Sequence, residues 1–67
     1  GLPPGLAKRK RLPPGLAKRD LPHDLNDVLP SPSRGTERVV IDNNVVLIQK
    51  ATGIVLDILL DAVADAN

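Results

Sequence analysis

His23 is the one imidazole in a chain of 67 residues, and it lies in the stretch Asp20-Leu21-Pro22-His23-Asp24-Leu25-Asn26-Asp27. On a helical turn His23 and Asp27 share a face, a spacing that could hold a cation between them. One imidazole with carboxylates is a weak site for a divalent transition metal, and zinc sites take three or four protein ligands. The chain has no Cys, so thiolate ligands and disulfides are excluded. His23 reads as a surface residue beside solvated acids. Asp57, Asp61 and Asp65 recur every four residues and hint at Ca²⁺, but they lack the ligand loop of an EF-hand. They read as a solvated edge, or as an acidic counter-surface for a basic partner. Ser31 and Ser33 sit in a Pro-flanked loop without a dedicated base, Thr36 and Thr52 look like turn and strand-start residues, and Pro-Pro-Gly is not a phosphate loop. No nucleophile, acid–base pair or ligand set is assembled, so the chain reads as a non-enzyme with no cofactor and no metal.

Charge is the second feature with chemical content. Residues 1–19 carry Lys8, Arg9, Lys10, Arg11, Lys18 and Arg19 and no acid, whereas residues 20–67 carry three cations against eight acids. The formal net charge of +1 hides that division. A basic arm beside an acidic body suggests self-complementarity, within one chain or between chains. The run Lys8-Arg9-Lys10-Arg11 is also compatible with nucleic acid, anionic lipid or dibasic cleavage. Phe, Tyr and Trp are absent, which removes the stacking platforms of single-strand binders and disfavours nucleic acid.

These residues must be positioned by very little protein. A chain this short buries only about 60% of its unfolded surface and is marginal alone. Without disulfides or metal, association is the remaining support, so the apolar half is expected to be buried against another chain. The longest mostly apolar run, Gly53 to Ala64, is broken by Asp57 and Asp61 and is too short to span a bilayer. The chain begins at Gly1, which suggests a processed or trimmed product, a start compatible with a lost export signal.

All seven prolines fall in residues 1–35 and most β-branched apolar residues in 36–67. This division predicts a Pro-rich arm (1–35) and a β-rich module (36–67). LPPGLAKR occurs at Leu2–Arg9 and again, letter for letter, at Leu12–Arg19, and LPHDLNDV at Leu21–Val28 keeps the Leu-Pro-x-x-Leu frame. Leucines four apart would share one face of a helical turn, so each copy is expected to be an extended Leu-Pro followed by a short helical turn. Leu2, Leu6, Leu12 and Leu16 are the expected docking anchors. In the second half, Asn43-Asn44 between two β-branched runs signals a hairpin with a two-residue turn. Gly53, after three turn residues, suits the left-handed position that closes a three-residue hairpin loop. The expectation is a small α+β fold: a three-stranded antiparallel meander over about 37–42, 45–50 and 54–58, then a short C-terminal helix. A β-hairpin followed by one helix over 52–66 is the alternative, because the three aspartates also fit a helical stripe. The strands are apolar on both faces, as Val39, Val40 and Ile41 show, and need two covers.

LPPGLAKR (2–9, 12–19) and the stretch from Asp42-Asn43-Asn44 through Thr52-Gly53-Ile54-Val55 resemble the C-terminal domain of the RcnB/CigR type. These are small exported bacterial proteins associated with nickel/cobalt homeostasis or anti-virulence regulation. The resemblance spans nearly the whole chain. It implies export to the periplasm or cell envelope, or an extracellular location, and no catalytic residue. Members commonly carry an aromatic residue before the first strand, where this chain has Arg34-Gly35-Thr36-Glu37. The family's metal link finds no ligand set here and is not carried over.

The function expected is a non-catalytic envelope module that binds another protein. The alternative is a structural subunit, oligomer or filament, in which the basic arm docks on a neighbour's acidic body. Nucleic-acid binding through the basic run ranks third. The expected partners are a second copy or another envelope protein.

Overall fold

Val39, Val40, Ile41, Val45, Val46 and Ile48 place β-branched side chains on both sides of any extended backbone, and that pattern decides the architecture. The computed structural model describes residues 2–63. Helix α1 spans His23–Val28, and strands β1 (Thr36–Ile41), β2 (Asn44–Gln49) and β3 (Val55–Leu59) form one antiparallel sheet in the order β1-β2-β3. The meander is the expected one, with strand ends displaced by a residue.

Residues directly opposite each other on antiparallel strands share a face. The pairs Val39↔Val46, Ile41↔Asn44 and Val46↔Ile58 define one face, and Val40↔Val45 and Val45↔Leu59 the other. Leu6, Leu12 and Leu16, from the two exact repeats, cover the first face over Ile41, Val46, Ile48 and Val55. Leu21, Leu25 and Leu29, from the third copy and the end of α1, cover the second over Val40 and Val45, together with Ala62 and Val63. The apolar half is thus buried against the chain's own first half, where a second chain was expected.

The arm also occupies both sheet edges. The Arg9 N–H donates to the Val55 carbonyl (2.7 Å), the Val55 N–H to Lys10 (2.9 Å) and the Leu12 N–H to Gly53 (2.7 Å). On the opposite edge Arg19 and Val40 exchange two hydrogen bonds of 2.8 and 2.9 Å. Residues 12–19 therefore cross the first face from the β3 edge to the β1 edge. Unpaired edge strands invite association, and here the arm closes part of each.

Five expectations are corrected. The two exact repeats are not helical turns. In the first, the Leu6 N–H donates to the Pro3 carbonyl (3.2 Å) across Pro4-Gly5, with Gly5 at φ +82. Pro followed by a left-handed residue is the β-turn pairing that Pro-Gly favours, and Gly supplies the positive φ without strain. Only the third copy, without Pro-Gly, becomes helix. It ends at Leu29, held extended (ψ 142) because Pro30 excludes the helical region for its predecessor.

The first hairpin turns at Asp42-Asn43, not Asn43-Asn44. Of the two, Asp42 has a positive φ (+53), and Asn44 opens β2 with its side chain buried (1% exposed). Asn44 Nδ2 donates to the Ile41 carbonyl (3.2 Å) and Asn44 Oδ1 accepts from the Asp61 N–H (3.0 Å). These bonds tie the exit of β3 to the first hairpin, as does the Val63 N–H to the Asn43 carbonyl (3.0 Å).

The helix over 52–66 is excluded by β3. Gly53 is left-handed as expected (φ +74), but the loop it closes holds four residues, 50–53, between the paired Gln49 and Ile54. The short C-terminal helix is not found up to Val63: Leu60 and Asp61 form a turn. The rest of that expectation, with Asp65, lies outside the described residues.

Leu6 is 4% exposed and Leu2 42%. Leu6→Ala is expected to cost ~2–5 kcal/mol and Leu2→Ala less than ~0.5 kcal/mol in urea unfolding followed by far-UV circular dichroism. Equal effects would refute the packing described for the arm. Asn44→Ala should cost ~1–3 kcal/mol in the same assay, because it strands a buried carbonyl and an N–H.

Candidate functional site

The sequence residues with recognition chemistry fall into two places. The first is the β3 edge. Lys8, Arg9, Lys10 and Arg11 are all exposed there, and the edge hydrogen bonds of Arg9, Lys10 and Leu12 hold their backbone. Lys8 and Arg9 occupy a turn closed by the Lys10 N–H and the Ala7 carbonyl (3.2 Å), with Arg9 in the left-handed region (φ +67). Lys8 Nζ lies 3.1 Å from Asp57 Oδ1, an ion pair about 60% exposed on both sides. The Lys8 ammonium, and then the Ile58 N–H that also donates to Oδ1, hold the Asp57 carboxyl below its ordinary range. Beside Lys8, a hollow of about 420 Å³ is lined by Leu2, Leu6, Ala7, Ile58 and Leu60.

Lys18 and Arg19, the counterparts of Lys8 and Arg9, stand at the β1 edge instead. The Arg19 guanidinium donates to the Asp42 carbonyl (2.7 Å), which clamps the arm to the hairpin turn. The structure thus divides the basic residues between two edges. Of the acidic trio, Asp57 meets Lys8, while Asp61 sits in a left-handed turn (φ +51). β3 and this turn break the expected helical stripe.

The second place is a groove on the other face. Leu29, Val45, Leu47 and Leu59 line about 180 Å³ of apolar space, with Arg38 and Asp57 among its walls. Arg38 Nη1 donates to the Pro30 carbonyl, so its guanidinium is tied to the loop after α1. Reading the sequence missed this groove and the anchors Leu21 and Leu29. The Leu-Pro frame was the available signal for Leu21, which the structure buries (8% exposed). No sequence signal marked the groove, which depends on where α1 stops short of β3.

Among the described residues no three His, Asp or Glu side chains gather as a metal site. His23 is exposed at the start of α1, a helix of six residues with no side-chain cap. No helix among them is long and apolar enough to cross a membrane.

Among solved structures the chain matches the C-terminal domain of the inner membrane protein CigR from Salmonella enterica. The identity is 37%, the TM-score 0.79, and the match covers 91% of this chain and 66% of that one. The chain therefore spans just under two thirds of that domain. No family model matches, and no curated protein sequence does.

Because its folded pKa is depressed, Asp57 contributes stability above its unfolded pKa and loses it as pH falls through the folded value. The pair is exposed, so Asp57→Asn should lower stability at neutral pH by no more than ~0.2–1 kcal/mol. The difference should vanish once the wild-type carboxyl is protonated. Paired urea titrations across acidic pH check this, and a variant gap that widens on acidification would contradict it.

Proposed function

The chain is a CigR-like domain, and on that premise we propose that it is a non-catalytic module of the bacterial envelope that works by binding another protein through the groove beside α1. The envelope reading is supported by the relative's description as an inner membrane protein. The binding reading rests on one observation: the arm and α1 cover most of both sheet faces, yet leave Leu47 and Leu59 bordering an apolar groove. Leu59 is 48% exposed. Arg38 and Asp57 stand in the same wall, and charges at the rim of an apolar patch fix orientation and register more than affinity.

A groove of this size accepts one or two aliphatic side chains, in keeping with the concave, mainly apolar character of small recognition sites. The chemistry asked of the partner is an apolar anchor flanked by an acid that meets Arg38, since Asp57 is already paired with Lys8.

The alternative, a self-assembling subunit, has the arm of one copy on the body of the next. It is favoured by the way the arm is held: its edge contacts are a few backbone hydrogen bonds, and the Pro- and Ser-rich segment 30–35 joins it to β1. Exchange of the arm would recreate the same contacts between two chains.

A photo-crosslinking residue at Leu59, in a chain exported to the envelope, is expected to yield one discrete heterologous adduct. Leu47→Glu should abolish it while far-UV circular dichroism stays unchanged. A homodimer adduct alone, with a light-scattering mass that halves on dilution, would favour arm exchange. No adduct would remove the groove from consideration.

A further inference from the structure

The basic run and the repeat leucines Leu2, Leu6, Leu12 and Leu16 were read from the sequence as parts of one docking arm, but the structure gives them different surroundings. Leu6, Leu12 and Leu16 pack on the sheet. Leu2 and Leu60 do not: they are 42% and 59% exposed, and both line the hollow that Lys8 adjoins. From Lys8 the chain runs along the outer edge of β3, held by hydrogen bonds at Arg9, Lys10 and Leu12. Four successive cations are therefore gathered on a fixed backbone at one sheet edge, Lys8 and Arg9 in a turn and Lys10 and Arg11 along β3, with two protruding leucines beside Lys8. Among the described residues the only ion pair is Lys8 with Asp57, so Arg9, Lys10 and Arg11 have no acidic partner there.

We propose that this edge is a membrane-surface contact, on which Lys8–Arg11 meet the phosphates of anionic lipids and Leu2 and Leu60 enter the headgroup boundary. Clustered cations near a bilayer are attracted by its negative surface potential, and a few exposed apolar side chains beside them add shallow insertion. The same edge suits other partners less well. Protein interface cores are depleted in Lys and enriched in aromatic residues, and single-stranded nucleic acid needs aromatic platforms. This chain has no aromatic residue. The proposal deepens the envelope reading, because it supplies the surface on which such a domain would rest. The groove walled by Val45 and Leu47 belongs to the opposite face from Leu6 and Ile58, so a bilayer on the β3 edge and a protein in the groove are compatible.

The test is co-sedimentation of the purified chain with vesicles of phosphatidylcholine alone and with phosphatidylglycerol added, at low and high salt. Binding is expected only with phosphatidylglycerol, and should fall as salt rises. The triple variant Arg9→Gln, Lys10→Gln, Arg11→Gln keeps the backbone hydrogen bonds and should weaken partitioning by at least about tenfold. Leu60→Ser, at an exposed position, should weaken it as well. Far-UV circular dichroism controls for folding in both variants. Equal binding to both vesicle types, or either variant binding like the parent, would overturn the proposal. So would binding to duplex DNA, with loss in the triple variant, when no vesicle binding is seen. The crosslink at Leu59 reads the groove alone, so failure of one result leaves the other standing.

Discussion

Val45 and Val46 are consecutive, buried and on opposite sides of the central strand, so a sheet only three strands wide has to be covered twice. That requirement organises the rest of the molecule. Each fully buried Val, Leu or Ile is worth about 1.5–3 kcal/mol relative to exposure, and an uncovered face would forfeit several of these at once. A chain without Cys has no crosslink to make good such a loss. The covers come from one continuous segment, which lays Leu6, Leu12 and Leu16 over one face and Leu21, Leu25 and Leu29 over the other. The passage from one face to the other occurs around the β1 edge, where Arg19 pairs with Val40. The repeat is thus an apolar ruler whose leucines are spaced for a sheet to receive.

Much of this was legible in the sequence. The β-branched runs and the left-handed Gly53 announced the meander, and the two-faced strands announced two covers. Helix was the wrong inference for LPPGLAKR because spacing of four is ambiguous: a Pro-Gly turn brings Leu6 back onto the sheet by folding the backbone, with no helical periodicity at all. The Asn-Asn turn was displaced by one residue because Asn44 has a second use, as the buried donor and acceptor that fastens the Asp61 turn. Turn propensity alone does not distinguish an Asn that bends the chain from one that ties two loops together.

The least legible feature is the divergence of two identical octapeptides. Both carry Gly in the left-handed region, at φ +82 and +83. After that they part: the first copy turns through Arg9 at positive φ, while the second delivers Arg19 to the β1 edge. A non-glycine residue in that region costs on the order of 1–2 kcal/mol, and the hydrogen bonds to Val55 and Gly53 that follow the turn offset it. Same residues, different neighbours: the β3 edge selects one conformation and the β1 edge the other. No local rule applied to LPPGLAKR could return both. The same division sends four of the arm's six cations to the β3 edge and two to the β1 edge, so the summed positive charge of residues 1–19 does not act as one patch.

The pairing of the arm with β3 and β1 also sets an order of events. Arg11 meets Ile54 and Arg19 meets Val40, so residues made early close against residues made much later. The two hairpins are local and need only short loops to form, whereas the arm contacts span long stretches of chain, and such non-local contacts form slowly. During synthesis, Leu6, Leu12 and Leu16 have no surface to lie on until β3 has emerged. The prolines keep that waiting segment from building strands of its own, and its cations keep it soluble. The arm therefore emerges before the sheet that it covers and is placed after it.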